Sequence, residues 1–307
     1  MVTLTTRAVA IPLAVLICGG LIAAGLLARR STPLPPLATT ASQPAASADR
    51  GFPVPPSGAV TYAREWGARV LALGVAPAGG GVVAEASIVG AQGTGLSGLR
   101  VALDGREAAP CGPGCYRARL DRRPAVVEVR TGGVDWRVAL PSAWPPPSGT
   151  AIVRRAAAAW RALHSLSYEE HLASDATHSV DSTWRIEAPG NVSYVVRRGG
   201  AGVVVGDKRW DRVSPRSRWI ESQQTPLTQP TPAWVGISDA HVLGVGALAG
   251  RRVWWVSFFD PRTPAWFKIA VDRSTYHTLE TQMITTAHFM RDVYGRFNTT
   301  PSIVPPR

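Results

Sequence analysis

Soft metal donors gather near the C-terminus. In TAHFMRDVYGRFN (286–298), His288 and Met290 stand two apart, a few residues beyond Met283. The chain has only three methionines and six histidines, so the grouping raises copper as a ligand. Thioether and imidazole donors suit soft and borderline transition metals. Residues two apart share one face of an extended strand. Read as one long return strand, 279–290 carries Glu280, Gln282, Ile284, Thr286, His288 and Met290 on one face and Met283 on the other. The three donors then separate, and His288 with Met290 alone is short of a third strong ligand. The expectation is that Met290 packs and His288 hydrogen-bonds at a sheet edge, with copper on His288 and Met290 as the metal alternative.

The remaining reactive side chains do not assemble into catalytic machinery. PCGPGCYRA places three residues between Cys111 and Cys115, two glycines and a proline. Such a loop closes a disulfide if the turn brings the Cα atoms within about 4.4–6.8 Å. Redox dithiols use the tighter CxxC spacing, and zinc sites supply four ligands. A structural disulfide is therefore expected. His164, His171, His178, His241, His277 and His288 are scattered singly. Glu169–Glu170–His171 is the densest polar cluster, but alternation along a strand sends neighbours to opposite faces. There is no GxSxG elbow, HExxH pair or phosphate-binding glycine loop. No catalytic residue and no cofactor is expected, and the chain is not read as an enzyme.

Aromatic residues carry the stronger signal. RRVWWVSFFD (251–260) sets Trp254, Val256 and Phe258 on one face of a strand and Val253, Trp255 and Phe259 on the other. A strand with bulky apolar groups on both sides needs cover on both. A helix can supply one cover; the second requires more protein or a ligand. Eight of the eleven tryptophans lie at or beyond Trp160. Trp160, Trp254, Trp255, Phe258, Phe259, Trp266 and Phe289 are accordingly the candidate lining of a hydrophobic site, against the plainer reading of structural core.

The elements that must position these groups follow from composition and periodicity. An uncharged apolar run of 21 residues, Ala8–Ala28, precedes Arg29 and Arg30. It matches the roughly 20 residues a helix needs to cross a bilayer and exceeds the roughly 7–15 of a signal-peptide core. Residues 1–30 are read as a single-pass membrane anchor, with a cleaved signal as the rival. Residues 31–58 are rich in Pro, Ala and Ser and suit an extended stalk. The paired cysteines favour an oxidising compartment, which places the body of the chain outside the cytoplasm. The net charge of +12 is almost wholly arginine, dispersed among acidic and apolar residues without a basic, aromatic-interleaved run, so no nucleic-acid partner is expected. Short alternating segments separated by glycine turns fill 59–145 and imply a small Ig-like β-sandwich. Residues 146–307 open with a helix whose Ile152, Ala156, Trp160 and Leu163 share a face, capped by Ser148 or Thr150. A run of antiparallel strands follows. Together they imply a mainly β, α+β fold in which the helix covers a curved sheet.

DPRTPAWFKIAVDRSTYHTLETQMITTAHFMRDVYGRFN (260–298) resembles the closing hairpin of LolA-like lipoprotein-carrier domains. Its PAWF…VD…HFM…Y…FN pattern is similar to extracytoplasmic tails of actinobacterial CopD-like copper-resistance membrane proteins. In those tails a CopC- or YtkA-like sandwich precedes the carrier-like module. The resemblance spans roughly 60–305 and is sharpest over the last 45 residues. It implies a cup for acyl chains or another hydrophobic ligand, with no catalytic residues. Residues 58–145 hold no histidine, so a CopC-like copper site is not carried over. The functional expectation is a membrane-anchored, extracytoplasmic protein holding a lipid or lipoprotein acyl chain in a half-barrel cup. An accessory role in copper handling and a ligand-free structural or sensory ectodomain are the alternatives. Cys111 and Cys115 should resist alkylation in the native chain and react only after reduction, as read by mass spectrometry of the labelled protein.

Overall fold

The computed structural model describes residues 51–307. Three antiparallel sheets and one short helix make up this part of the chain. Alternating residues from two of the sheets fill one shared core. The first sheet contains β1 (Val60–Trp66), β2 (Arg69–Ala78), β3 (Gly81–Val89), β6 (Ala109–Gly112) and β7 (Cys115–Leu120), in the order β1-β2-β3-β7-β6. The second contains β4 (Val101–Leu103), β5 (Arg106–Glu107), β8 (Val126–Thr131) and β9 (Val134–Ala139), in the order β5-β4-β8-β9. Leu71, Leu73, Val82 and Ile88 meet Leu103, Val127 and Val129 between them.

The third sheet has eleven strands. Six come from a first meander: β10 (Ser165–Ala173), β11 (Ser179–Glu187), β12 (Asn191–Val196), β13 (Ala201–Val205), β14 (Lys208–Arg212) and β15 (Ile220–Gln223). Five come from a second: β16 (Ala240–Leu248), β17 (Arg251–Asp260), β18 (Ala265–Asp272), β19 (Thr278–Thr285) and β20 (His288–Gly295). The two join through β10 and β20, so β15 and β16, consecutive in sequence, form opposite edges. The sixteen residues 224–239 must therefore cross the whole sheet. Ten inter-strand gaps of about 4.8 Å make about 48 Å, and sixteen residues reach about 53–58 Å fully extended. The segment is not extended throughout: it turns at 233–236, where the Val235 amide donates to the Pro232 carbonyl at 3.1 Å. Its three prolines suit an extended course, and Leu227, Trp234, Val235 and Ile237 point into the core beneath it.

Helix α1 (Thr150–Arg161) lies on the same side and buries Val153, Ala156, Ala157 and Trp160. The buried face is thus turned slightly from the expected one, and Leu163 packs from beyond the helix end. Gly149 is the N-cap, without a side-chain cap. Its backbone amide donates to the Ala240 carbonyl at 2.6 Å, and a Cβ there would stand 2.7 Å from Val256 Cγ1. Close approach of the helix start to the sheet is what requires glycine at this position.

The second face of the third sheet is covered by the first sheet. Val70, Ala72 and Val89 pack on Trp266, Phe289 and Ala173. Phe52 stacks on Trp266 and Phe259 at 5.4 and 6.2 Å. The doubly apolar β17 is answered by protein on both sides.

Several expectations are corrected here. Among the described residues the fold is mainly β with a single twelve-residue helix, rather than α+β. Its large sheet is open, since β15 and β16 do not pair, and it does not close into a half-barrel. Among the described residues no helix is long and apolar enough to cross a membrane; twelve residues rise only about 18 Å. A single-pass membrane location and a membrane-anchored binding role are therefore not supported. The apolar run at 8–28 and the stalk to residue 50 lie outside the described residues. The long return strand is in fact two, β19 and β20, broken at Thr286–Ala287, where Ala287 adopts φ 53°. That turn lacks Gly, Pro, Asn and Asp, the residues that announce turns in sequence.

The strap formed by 224–239 lies hard on the sheet at Gly190, where an added Cβ would sit 1.8 Å from the Leu227 carbonyl oxygen. Gly190→Ala should lower stability by about 1–3 kcal/mol through overpacking. The check is the urea midpoint at unchanged m-value.

Candidate functional site

Register lines up a row of aromatic rings on the strap-covered face of the third sheet. Tyr194, Trp184, Tyr168 and Tyr294 lie directly across β12, β11, β10 and β20. Successive ring centroids are 4.8, 5.9 and 5.3 Å apart. Trp160 from α1 meets Tyr294 edge-on at 5.7 Å and Trp234 from the strap at 5.5 Å. Contacts of this kind add about 0.5–1.5 kcal/mol each beyond area burial. Trp160 Nε1 donates to the Pro230 carbonyl, and Gln229 Nε2 donates back to the Trp160 carbonyl, which ties strap to helix.

Two residues along the same face runs a row of different character: Ser182, Glu170, Asp292 and Thr281, again directly opposite one another across β11, β10, β20 and β19. Glu170 and Asp292 are each only 3% exposed. Glu170 Oε2 accepts from Ser182 Oγ at 2.7 Å and Trp184 Nε1 at 2.9 Å. Asp292 Oδ2 accepts from the Tyr294 hydroxyl at 2.8 Å. The other oxygens, Glu170 Oε1 and Asp292 Oδ1, find no partner within the protein, and neither do Thr281 Oγ1 or Trp234 Nε1. Burial raises the Asp292 carboxyl well above the usual carboxylate range, and the neighbouring Glu170 charge raises it further against the Tyr294 hydrogen bond. Burial also raises Glu170, opposed by the bonds from Ser182 and Trp184. Two carboxyls facing each other in an apolar site do not both ionise readily.

The residues expected to line one hydrophobic site are divided between the two faces. Trp160, Trp254 and Phe258 belong to the strap-covered core. Phe259, Trp266 and Phe289 form the contact with the first sheet. Trp255 packs beside Val253, Ala270 and Leu279, with the Lys268 ammonium 4.4 Å from its ring centre. The strap-covered face is filled by α1 and the strap, so it is not an open cup. A cleft of about 470 Å³ lies between Val54–Thr61 and the 236–239 and 259–262 segments, and takes only Phe259 from the expected set.

The soft donors behave differently from their expected separation. The turn at Thr286–Ala287 brings Met283 directly opposite Met290 on the strap-covered face. Both pack against its core. His288, opposite Thr285 at the hairpin end, is half-buried, its Nε2 finds no partner, and burial holds its pKa below the usual value. Cys111 and Cys115 are joined in a disulfide, with Cα atoms 5.0 Å apart. The polar cluster at 169–171 alternates as expected, with only Glu170 buried. Sequence reasoning missed the partnership of Glu170 with Asp292. The available signal was an acid at position 292, sharing inward parity with Met290 and Tyr294.

No protein-family model matches the chain, and no curated protein matches it. Among solved structures, LprF from Mycobacterium bovis is similar at TM-score 0.41 and 13% identity, over 52% of this chain and 99% of that one. The Mycobacterium tuberculosis lipoprotein LppX gives 0.40 and 12%, over 50% and 97%. A LolA superfamily protein from Nitrosomonas europaea gives 0.22 and 9%, over 48% and 92%. The likeness is one of fold, and nothing about a ligand follows from it.

Folded Glu170 and Asp292 keep their protons to higher pH than they do unfolded. Stability should therefore fall as pH rises from the ordinary carboxylate range toward their raised values, by about 1.4 kcal/mol for each unit of the raise. Asp292→Asn should flatten that decline. Urea midpoints across the acidic to neutral range check this, and an equal decline in the variant would exclude the pair as its source.

Proposed function

We propose that the protein is a non-enzymatic binding protein for an amphiphile, taken up on the strap-covered face of the eleven-stranded sheet. The ligand has an apolar body, which lies along the aromatic row, and a hydrogen-bond-donating head, which meets Glu170 and Asp292. One observation carries this reading: two buried carboxylate oxygens, Glu170 Oε1 and Asp292 Oδ1, lie unpartnered in an otherwise apolar, aromatic-lined core. A buried acceptor left without a donor costs about 1–3 kcal/mol, and a donor head offsets that cost. Apolar walls with a few convergent polar groups are the general form of a small-ligand site.

The route in is the strap. Residues 224–239 belong to no strand; besides Trp160 they are held by Arg262, whose Nη2 donates to the Ala233 and Val235 carbonyls, and near their ends by the Gln224 amide donating to the Asp207 carbonyl, Thr150 Oγ1 donating to the Ser238 carbonyl and the Gly58 amide donating to Asp239. Asp260 in turn fixes that guanidinium. A segment without ladder hydrogen bonds opens at lower free energy than the sheet beneath it. In this reading residues 146–307 carry the site, and residues 59–145 form a separate module that covers the opposite face. The finer resemblance to CopD-like tails gains no support from the solved structures and has no part in the proposal.

A titration of the purified chain with amphiphiles of equal chain length, one amine-headed and one sulfate-headed, tests the reading through tryptophan emission. The amine should bind at least about tenfold more tightly, a difference of about 1.4 kcal/mol, and Asp292→Asn should reduce that preference. Equal affinity for the two heads, or no emission change with either, would overturn it.

A further inference from the structure

On the first sheet, away from the strap-covered face, the disulfide has an acidic neighbour. Glu85 on β3 lies opposite Arg117 on β7, and Ser87 lies opposite Cys115, so Glu85 and Cys115 share a face two residues apart in register. Cys111 falls at the irregularity between Pro110 and Gly112, which frees it from the ladder. Carboxylate oxygen and both sulfurs all lie within 4.8 Å of one another.

Glu85 is only 1% exposed. Arg117 occupies Oε2 through Nε at 3.0 Å and Nη2 at 2.7 Å, while Oε1 finds no partner. A disulfide sulfur is a poor partner for that oxygen. Two thiolates would change its surroundings completely, because a cation could then lie between all three groups.

We infer that reduction of the Cys111–Cys115 disulfide creates a site for a zinc-class divalent cation, ligated by Cys111 Sγ, Cys115 Sγ and Glu85 Oε1. A phosphine reductant takes its oxygen from one water, becomes the phosphine oxide and leaves two thiols. Binding of the cation then releases the two thiol protons to solvent. Zinc accepts sulfur and carboxylate ligands in tetrahedral array and completes it with water, and Cys111 is on the exposed side where water enters. Charges balance locally: two thiolates and one carboxylate face a doubly charged ion and the Arg117 guanidinium. The sulfurs must separate from bonding distance, and the exposed, out-of-register Cys111 is the one placed to move. The oxidised chain has no such site, so the disulfide and the ion exclude one another.

The experiment titrates the full chain with Zn²⁺ in competition with a chromophoric chelator, before and after phosphine reduction, and repeats it with Co²⁺ to observe thiolate-to-metal charge transfer. The reduced chain should bind one more equivalent than the oxidised chain and show the charge-transfer band. Glu85→Gln should weaken that site by at least about tenfold, since even outer partners of metal ligands are worth about 10–100-fold. Cys111→Ser should abolish it. Cys111 is exposed, and reduced wild type provides the disulfide-free folding control, read by circular dichroism. No extra equivalent on reduction would overturn the inference, as would undiminished binding by Glu85→Gln.

Discussion

Placing two consecutive strands, β15 and β16, at opposite edges of an eleven-stranded sheet imposes one demand on everything else: the chain between them must cross the sheet. Sixteen residues make that crossing, with a turn at 233–236 on the way. The strap's path decides which face is closed. Its side chains, Trp234 above all, complete a core that α1 could not cover alone, since a twelve-residue helix shades only part of so wide a sheet. Gly190 has no side chain because the strap backbone passes where a Cβ would be.

Coverage of the other face follows from the same width. β17 and β18 present large apolar groups in both directions, and the first sheet lies against the side that the strap does not reach. Val70, Ala72 and Val89 are therefore core residues of an interface between sheets, although their alternation alone marks them only as one side of a strand. The apolar surface that a ligand could have covered is covered by the chain itself. What distinguishes the strap-covered side is its polar content, not its hydrophobicity.

That polar content is costly where it stands. Glu170 and Asp292 face one another across neighbouring strands, and each has one oxygen with nothing to accept from. Other buried acids among the described residues are ion-paired: Glu85 to Arg117 through Oε2 alone, Asp272 to Arg251 with the turn amides after it, Glu280 to Arg291. Since native proteins satisfy nearly all buried polar groups, two facing carboxyls that each keep an unpartnered oxygen are a place where the fold departs from stability alone. The strap is the movable element above it.

Local chemistry was enough to read much of this in advance. Alternation located most strands, including both sides of β17, because period two is a property of the extended backbone itself. Four-residue spacing marked Trp160 as inward-facing. Pairing was not legible, because hydrogen bonds between strands depend on backbone atoms common to all residues. The Thr286–Ala287 turn carries no turn residue, so a hairpin was read as one strand and Met283 was assigned to the wrong face. The Glu170–Asp292 pair joins positions 122 residues apart. Sequence alone determined which residues point the same way along each strand; tertiary structure decided which strands are neighbours, and so which buried acids meet, because that choice rests on the path of a strap whose composition says only that it is extended.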